Sequence, residues 1–186
     1  MEIQACNAKD TIVDIIEWPT ERDWSMCYWL AVSTTKKDYP IDTIYKKTPL
    51  PEWKHKILRA RHSPIRRLNY AIHLTNVPYF LQTHLVRHKI GWECFVATQR
   101  NDRQTNYDRN TAPQAAPVNM TILCNAESIQ TVLAKRLCKK ADAQMVVLMN
   151  EVHRKILEKT PEFDGLMARP CELFGKCFEM RSCKER

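Results

Sequence analysis

Glycine is scarce in this chain, with three in 186 residues. A dinucleotide fingerprint or a phosphate-binding loop needs clustered glycines, because the backbone must approach a phosphate closely. Neither pattern occurs, which excludes the usual sequence routes to NAD and ATP. Long apolar runs are also missing; none approaches the roughly 20 residues that span a bilayer. The opening Met1-Glu2-Ile3-Gln4 has neither the basic nor the apolar region of a secretory leader, so a cytoplasmic protein is expected. Acidic residues are the minority charge, 21 against 29 Lys and Arg, for a net charge of +8. An anionic partner is expected; nucleotides, folates and nucleic acid qualify. With 44% hydrophobic and 27% charged residues, the composition is that of one soluble globular domain with a real core.

Residues 78–103 carry the densest signal. Pro78 suits the first turn of a helix. Phe80, Leu81, His84, Leu85 and His88 then recur at helical spacing on one face. Gly91 is expected to stop this helix just after Arg87-His88-Lys89. Three adjacent cationic or ionisable side chains, followed by Arg100 and Arg103, point to an anion site, since arginine forks suit phosphate or carboxylate. The competing reading is a solvated helix end stabilised by the macrodipole. His84 and His88 have a zinc-like i, i+4 spacing, but Leu85, Val86 and Arg87 between them bring a cation and no carboxylate.

Elsewhere the pattern predicts a strand over 11–18, helices over 24–33 and 52–61, and a break at His62-Ser63-Pro64. Residues 67–75 are the clearest strand: Leu68, Tyr70, Ile72 and Leu74 alternate with Arg67, Asn69, Ala71, His73 and Thr75. Residues 92–98 are a strand or an irregular continuation, 101–117 a long loop, and 120–124 a short strand. Asn125 suits an N-cap. Ile129, Val132, Leu133, Leu137, Ala141, Met145, Leu148, Val152 and Ile156 trace an apolar face on one long helix or two. Arg136 sits beside that face.

The eight cysteines are expected to be thiols or metal ligands. Cys171, Cys177 and Cys183 are evenly spaced in a tail poor in apolar residues, and Cys138 precedes them. Four thiolates would satisfy a tetrahedral, structural zinc, although the spacing is not the usual C-x2-C. The alternative is a set of ordinary reduced cysteines.

The order of these motifs resembles the flavin-dependent thymidylate synthase family, over roughly 61–144. The residues that carry it are Ser63-Pro64, the 67–75 strand, Arg87-His88-Lys89, and Asn125-Ala126-Glu127-Ser128-Ile129 leading to Arg136. The sequence departs where the family has a third basic Arg (Lys89), a Ser-x-Arg (Ala97-Thr98-Gln99, with Arg100 in place only after a one-residue slip), a glutamate (Arg66) and an arginine (Glu127). The cysteine tail is not part of the family pattern, and the chain is similar to short, divergent members from phage and bacterial genomes. The resemblance implies an α/β (α+β) domain over 1–168 with an antiparallel or mixed sheet and packed helices, followed by the tail at 169–186. It implies a homotetramer with FAD at subunit junctions, and reductive methylation of dUMP or a related pyrimidine nucleotide with methylenetetrahydrofolate and NADPH. Ser63, Arg87, His88, Lys89 and Asn125 are then the expected FAD contacts. His84, Thr98, Gln99, Arg100 and Arg136 are the expected substrate contacts, with Arg136 taking up charge that develops on the pyrimidine. The alternative is a degenerate nucleotide- or nucleic-acid-binding module without methylation activity.

Overall fold

Apolar alternation at Tyr70, Ile72 and Leu74 makes Asn69–Pro78 (β2) an inner strand of the sheet. Tyr70, Ile72 and Leu74 point into the core and are almost fully buried. Tyr70 is held there by its hydroxyl, which donates to Thr160 Oγ1 at 3.0 Å. In the computed structural model, which describes residues 4–36, 38–103 and 107–183, β2 pairs with Ile12–Glu17 (β1) on one side and Pro117–Asn125 (β4) on the other. Trp92–Val96 (β3) adds to the far side of β4. The order is β1-β2-β4-β3 and every pairing is antiparallel, which decides between the two expected sheet types. Residues 104–106 of the expected loop and 184–186 of the tail lie outside the described residues.

One face of the sheet is covered by helices with matching apolar stripes: α1 (Glu21–Ser33), α2 (Pro51–Ala60), α4 (Ala126–Arg136) and α5 (Ala143–Lys159). Ile72, Met120 and Ile122 of the sheet share a core with Ile129 and Val132 of α4 and Met145, Val152 and Ile156 of α5. The apolar face expected over 129–156 is therefore two helices. Asp142 caps the second, accepting from the Gln144 and Met145 N–H groups. The other sheet face leaves Ile12, Ile16, Phe95 and Leu123 exposed. Lys54 of α2 is 5% exposed and bonds Glu21 of α1 at 2.6 Å and Glu162 beyond α5 at 3.4 Å, tying three elements together. Among the described residues, no helix is long and apolar enough to cross a membrane.

The helix after Pro78 is shorter than the spacing suggests. It spans Tyr79–Leu85 (α3), and Pro78 is its N-cap. Arg87, His88 and Lys89 belong to the turn beyond it. They have no apolar face to continue the stripe of Leu81 and Leu85, and the chain must double back into β3. Gly91 works at that return, with φ +63° and the Asn125 side chain packed where a Cβ would stand. Past α5 the chain makes a 3-10 turn at Pro161–Phe163 and a short helix at Pro170–Leu173 (α6).

An alanine at Gly91 would place Cβ 2.4 Å from Asn125 Nδ2. Left-handed backbone costs about 1 kcal/mol, and displacing the Asn125 cap costs about 1 kcal/mol more. Gly91→Ala is expected to lower unfolding stability by about 2 kcal/mol in urea titration, and an unchanged midpoint would show that this corner is not constrained.

Candidate functional site

The site grows from the junction at Asn125. Its Oδ1 accepts from the Ser128 N–H, and Ser128 Oγ accepts from the Asn125 N–H, both at 3.0 Å, which closes a reciprocal cap on α4. The Asn125 N–H also reaches the Gly91 carbonyl at 3.3 Å, and the Ala126 N–H donates to the Leu68 carbonyl at 2.9 Å. These bonds fix the start of β3, the end of the 3-10 turn Ser63–Arg67 and the start of α4 against one another. The 87–90 turn, the Ser63–Arg67 turn and the outer stripe of α4 consequently surround one cleft of about 580 Å³.

Arg61, Arg66, Arg87, Lys89 and Lys135 line this cleft, and Glu127 is the single carboxylate among its lining residues. Glu127 is already committed: Arg66 donates to it from Nε at 2.6 Å and from Nη2 at 3.3 Å. These are the two positions at which the sequence departs from the family pattern with opposite charges. Here they face each other as a forked ion pair of reversed polarity. Arg61, Lys135 and Thr131 were not anticipated from sequence. The signal was present, because Glu127, Thr131 and Lys135 repeat every four residues along one edge of α4.

Behind the cleft, Arg136 donates from Nε to His88 Nε2 at 3.0 Å and from Nη2 to the His84 carbonyl at 2.8 Å. It is half-buried, and no carboxylate pairs with it among the described residues. The surface ion pair that would make this arginine ordinary is absent there. Burial and the nearby Arg87 both lower its pKa. His88 also lines the cleft and packs edge-on against Trp92, with ring centroids 6.1 Å apart. Burial first, then Arg136 and Lys135, push its pKa down to about 4.

Of the expected cofactor contacts, Arg87, His88 and Lys89 are gathered at the cleft. Asn125 is not among the lining residues, and its side-chain oxygen is already used to cap α4 at Ser128, which is. Ser63 is exposed at the start of the 3-10 turn, while its neighbours Arg61 and Arg66 line the cleft. Of the expected substrate contacts, His84 offers its carbonyl to Arg136. Thr98 and Gln99 lie instead in a separate recess of about 270 Å³ with Tyr107 and Asn119. Arg100 is exposed and forks onto Asp102 at 2.9 and 2.6 Å. The 98–100 segment follows β3, whereas the 87–90 turn precedes it. A strand rises about 3.3 Å per residue, so one chain holds the two halves of the expected site far apart.

The expected zinc set does not assemble. Cys138, Cys171, Cys177 and Cys183 are free, and among the described residues no three His, Cys, Asp or Glu side chains come together as metal ligands. The tail runs without a core of its own, and Phe174 and Phe178 touch only edge-on and exposed. The tail does return to the end of α4, where Lys140 donates to the Arg181 carbonyl and Arg169 lies near both Cys138 and Cys171, but no third ligand joins them among the described residues.

No protein-family model matches the chain, and no curated protein matches it by sequence. Solved structures match its fold. The flavin-dependent thymidylate synthase ThyX from Helicobacter pylori, complexed with FAD and dUMP, aligns at TM-score 0.61 and 15% identity over 83% of this chain and 99% of its own. A second structure of that enzyme with FAD and dUMP gives 0.59 and 13%, over 84% and 97%. The UMP/dUMP methylase PolB from Streptomyces cacaoi, bound with 5-Br dUMP, gives 0.60 and 11%, over 90% and 98%. The chain therefore has the fold of flavin-dependent thymidylate synthases, an α+β domain with an antiparallel sheet.

The lowered pKa of His88 makes a stability prediction. An unfolded histidine titrates near 6.5, so between that value and about 4 the unfolded chain binds a proton that the folded chain does not. The stabilisation is complete above about pH 6.5 and is lost as pH falls toward about 4. Urea midpoints at pH 7 and pH 5 should therefore fall less in His88→Gln, which keeps an acceptor for Arg136 without a titrating ring, than in the wild type. Equal falls would contradict the assignment.

Proposed function

We propose that this protein is a flavin-dependent enzyme of the thymidylate synthase kind, which reductively methylates dUMP or a related pyrimidine nucleotide with methylenetetrahydrofolate and NADPH. The observation that carries the reading is the cleft itself. Five cationic side chains converge on it and its one carboxylate is already paired. Such a surplus suits the phosphates of FAD. Arg87, Lys89 and Lys135 would hold those phosphates, with Arg66 turned toward the same space. When bound, the flavin supplies the redox chemistry, and the chain's residues bind, orient and exclude water.

Arg136 is the residue assigned to the substrate. Its Nε and Nη2 are engaged by His88 and the His84 carbonyl, which leaves Nη1 for a ligand. A half-buried guanidinium fixed at two of its three nitrogens is preorganised to stabilise negative charge developing on a pyrimidine. The separation of residues 98–100 from the 87–90 turn supports an oligomer in which a second copy supplies the 98–100 segment to the first copy's cleft. It equally favours the second reading, a nucleotide- or nucleic-acid-binding module that lacks the methylation chemistry, because Arg100 is already occupied by Asp102.

Purified protein is expected to be yellow, or to take up added FAD, and to behave as a multimer in sedimentation. Colourless protein that refuses FAD yet binds oligonucleotide would favour the module. In an active preparation, Arg136→Ala should lose on the order of a hundredfold in dUMP turnover with a folded unfolding profile. Arg136→Lys should recover little, because a point charge cannot hold the His84 carbonyl and His88 while facing a third partner. Wild-type turnover in Arg136→Ala would remove Arg136 from the reaction.

A further inference from the structure

The run Arg87-His88-Lys89 reads in sequence as three cationic or ionisable side chains, and the geometry around His88 decides which of the two that ring is. A guanidinium only donates hydrogen bonds and stays charged at any pH a protein tolerates. Arg136 Nε lies 3.0 Å from His88 Nε2, in donating geometry. Nε2 must therefore be the unprotonated, accepting nitrogen, and a neutral ring then carries its proton on Nδ1. Arg136 is not free to turn away, because its Nη2 is anchored to the His84 carbonyl at 2.8 Å. The anchor sits on the carbonyl at the end of α3, where backbone acceptors are left over.

The surroundings agree. Arg136 and Lys135 approach His88 from α4, and Arg87 and Lys89 flank it in the turn. The aromatic ring of Trp92 closes the β3 side. The nearest carboxylate in the cleft, Glu127, is taken by Arg66. A second positive charge in that setting would be repelled from three directions with no unpaired carboxylate among the described residues of the cleft to offset it. His88 Nδ1 makes no hydrogen bond among the described residues and is not one of the buried atoms left without a partner, so it is open to solvent on a residue that lines the cleft.

We propose that His88 serves the cleft as a neutral N–H donor, its tautomer fixed by Arg136, and not as a third cation. The matching group on a ligand is an uncharged acceptor, a carbonyl oxygen or a pyridine-type nitrogen of a heteroaromatic ring. Phosphate is left to Arg87 and Lys89. The proposal rests on the functional reading only for its ligand, since the tautomer is a property of the protein alone. Arg136 acts here as a positioning residue, because the shape and charge that the ligand meets at His88 depend on a bond made behind it.

The test is long-range proton–nitrogen NMR on the full chain with ring-labelled histidine, His88 being assigned by its loss in His88→Gln. In the wild type at pH 7 the expected spectrum shows Nδ1 protonated and Nε2 bare, persisting well below pH 6. An imidazolium at pH 7, or a proton on Nε2, would overturn the proposal. Arg136→Met should raise the His88 midpoint toward the free-imidazole value and release the tautomer. An unchanged tautomer and midpoint in that variant would show that Arg136 does not set them and would also overturn it. Saturating inorganic phosphate should perturb the Arg87 and Lys89 side chains and leave His88 neutral at pH 7. Protonation of His88 on phosphate binding would restore the third cation. None of these arms uses FAD or dUMP. If the functional reading fails for lack of flavin or nucleotide binding, the tautomer result stands apart from it.

Discussion

The site depends on one short-range arrangement, the reciprocal cap between Asn125 and Ser128 with the Gly91 carbonyl on the same N–H. It converts the end of a strand into the start of a helix in a single residue. Because β4 runs between β2 and β3, that residue is where the sheet, the returning 87–91 turn and the 3-10 turn at Ser63–Arg67 can all be joined. The cationic side chains lie on three segments that share no sequence neighbourhood. They converge because Asn125 accepts no side chain on Gly91 and because Ala126 bonds the Leu68 carbonyl.

Concentrating charge there has a cost that the surrounding residues limit. Glu127 sits in the first turn of α4, where the helix dipole favours an anion, and offsets Arg66. Arg136 gains a carbonyl and an imidazole in place of a carboxylate, so its charge is solvated but not neutralised. His88 stays uncharged. What is left over, at Arg61, Arg87, Lys89 and Lys135, is positive charge facing a cleft, and it is worth more to an incoming anion than to the empty protein.

Much of this was legible in the chain. The alternation around Tyr70, Ile72 and Leu74 marks an inner strand, and an Asn followed by an apolar helical stripe marks the α4 cap. The Arg87–Lys89 run stands out as a cluster of cationic or ionisable side chains, and Arg136 as a cation among apolar neighbours on its helix. The misses have particular causes. Helical spacing counted His88 into a helix that ends at Leu85, because periodicity does not register where the chain must turn back to reach Gly91. The Arg66–Glu127 pair crosses 61 positions, so each residue looks like a separate defect until the fold joins them. Even spacing suggested a metal site in the cysteine tail, but ligands need convergence in space, which spacing alone does not supply. Residues 98–100 seemed near Arg87 in sequence, yet the strand between them carries them away.

The most direct measurement of the central claim is a crystal structure of the protein grown with FAD and dUMP. Flavin phosphates are expected against Arg87 and Lys89 in the cleft below α4, with Arg136 still bonded to His88 and the 98–100 segment of a neighbouring copy at the same ligand. Ligands bound elsewhere, with this cleft filled by solvent alone, would contradict that claim.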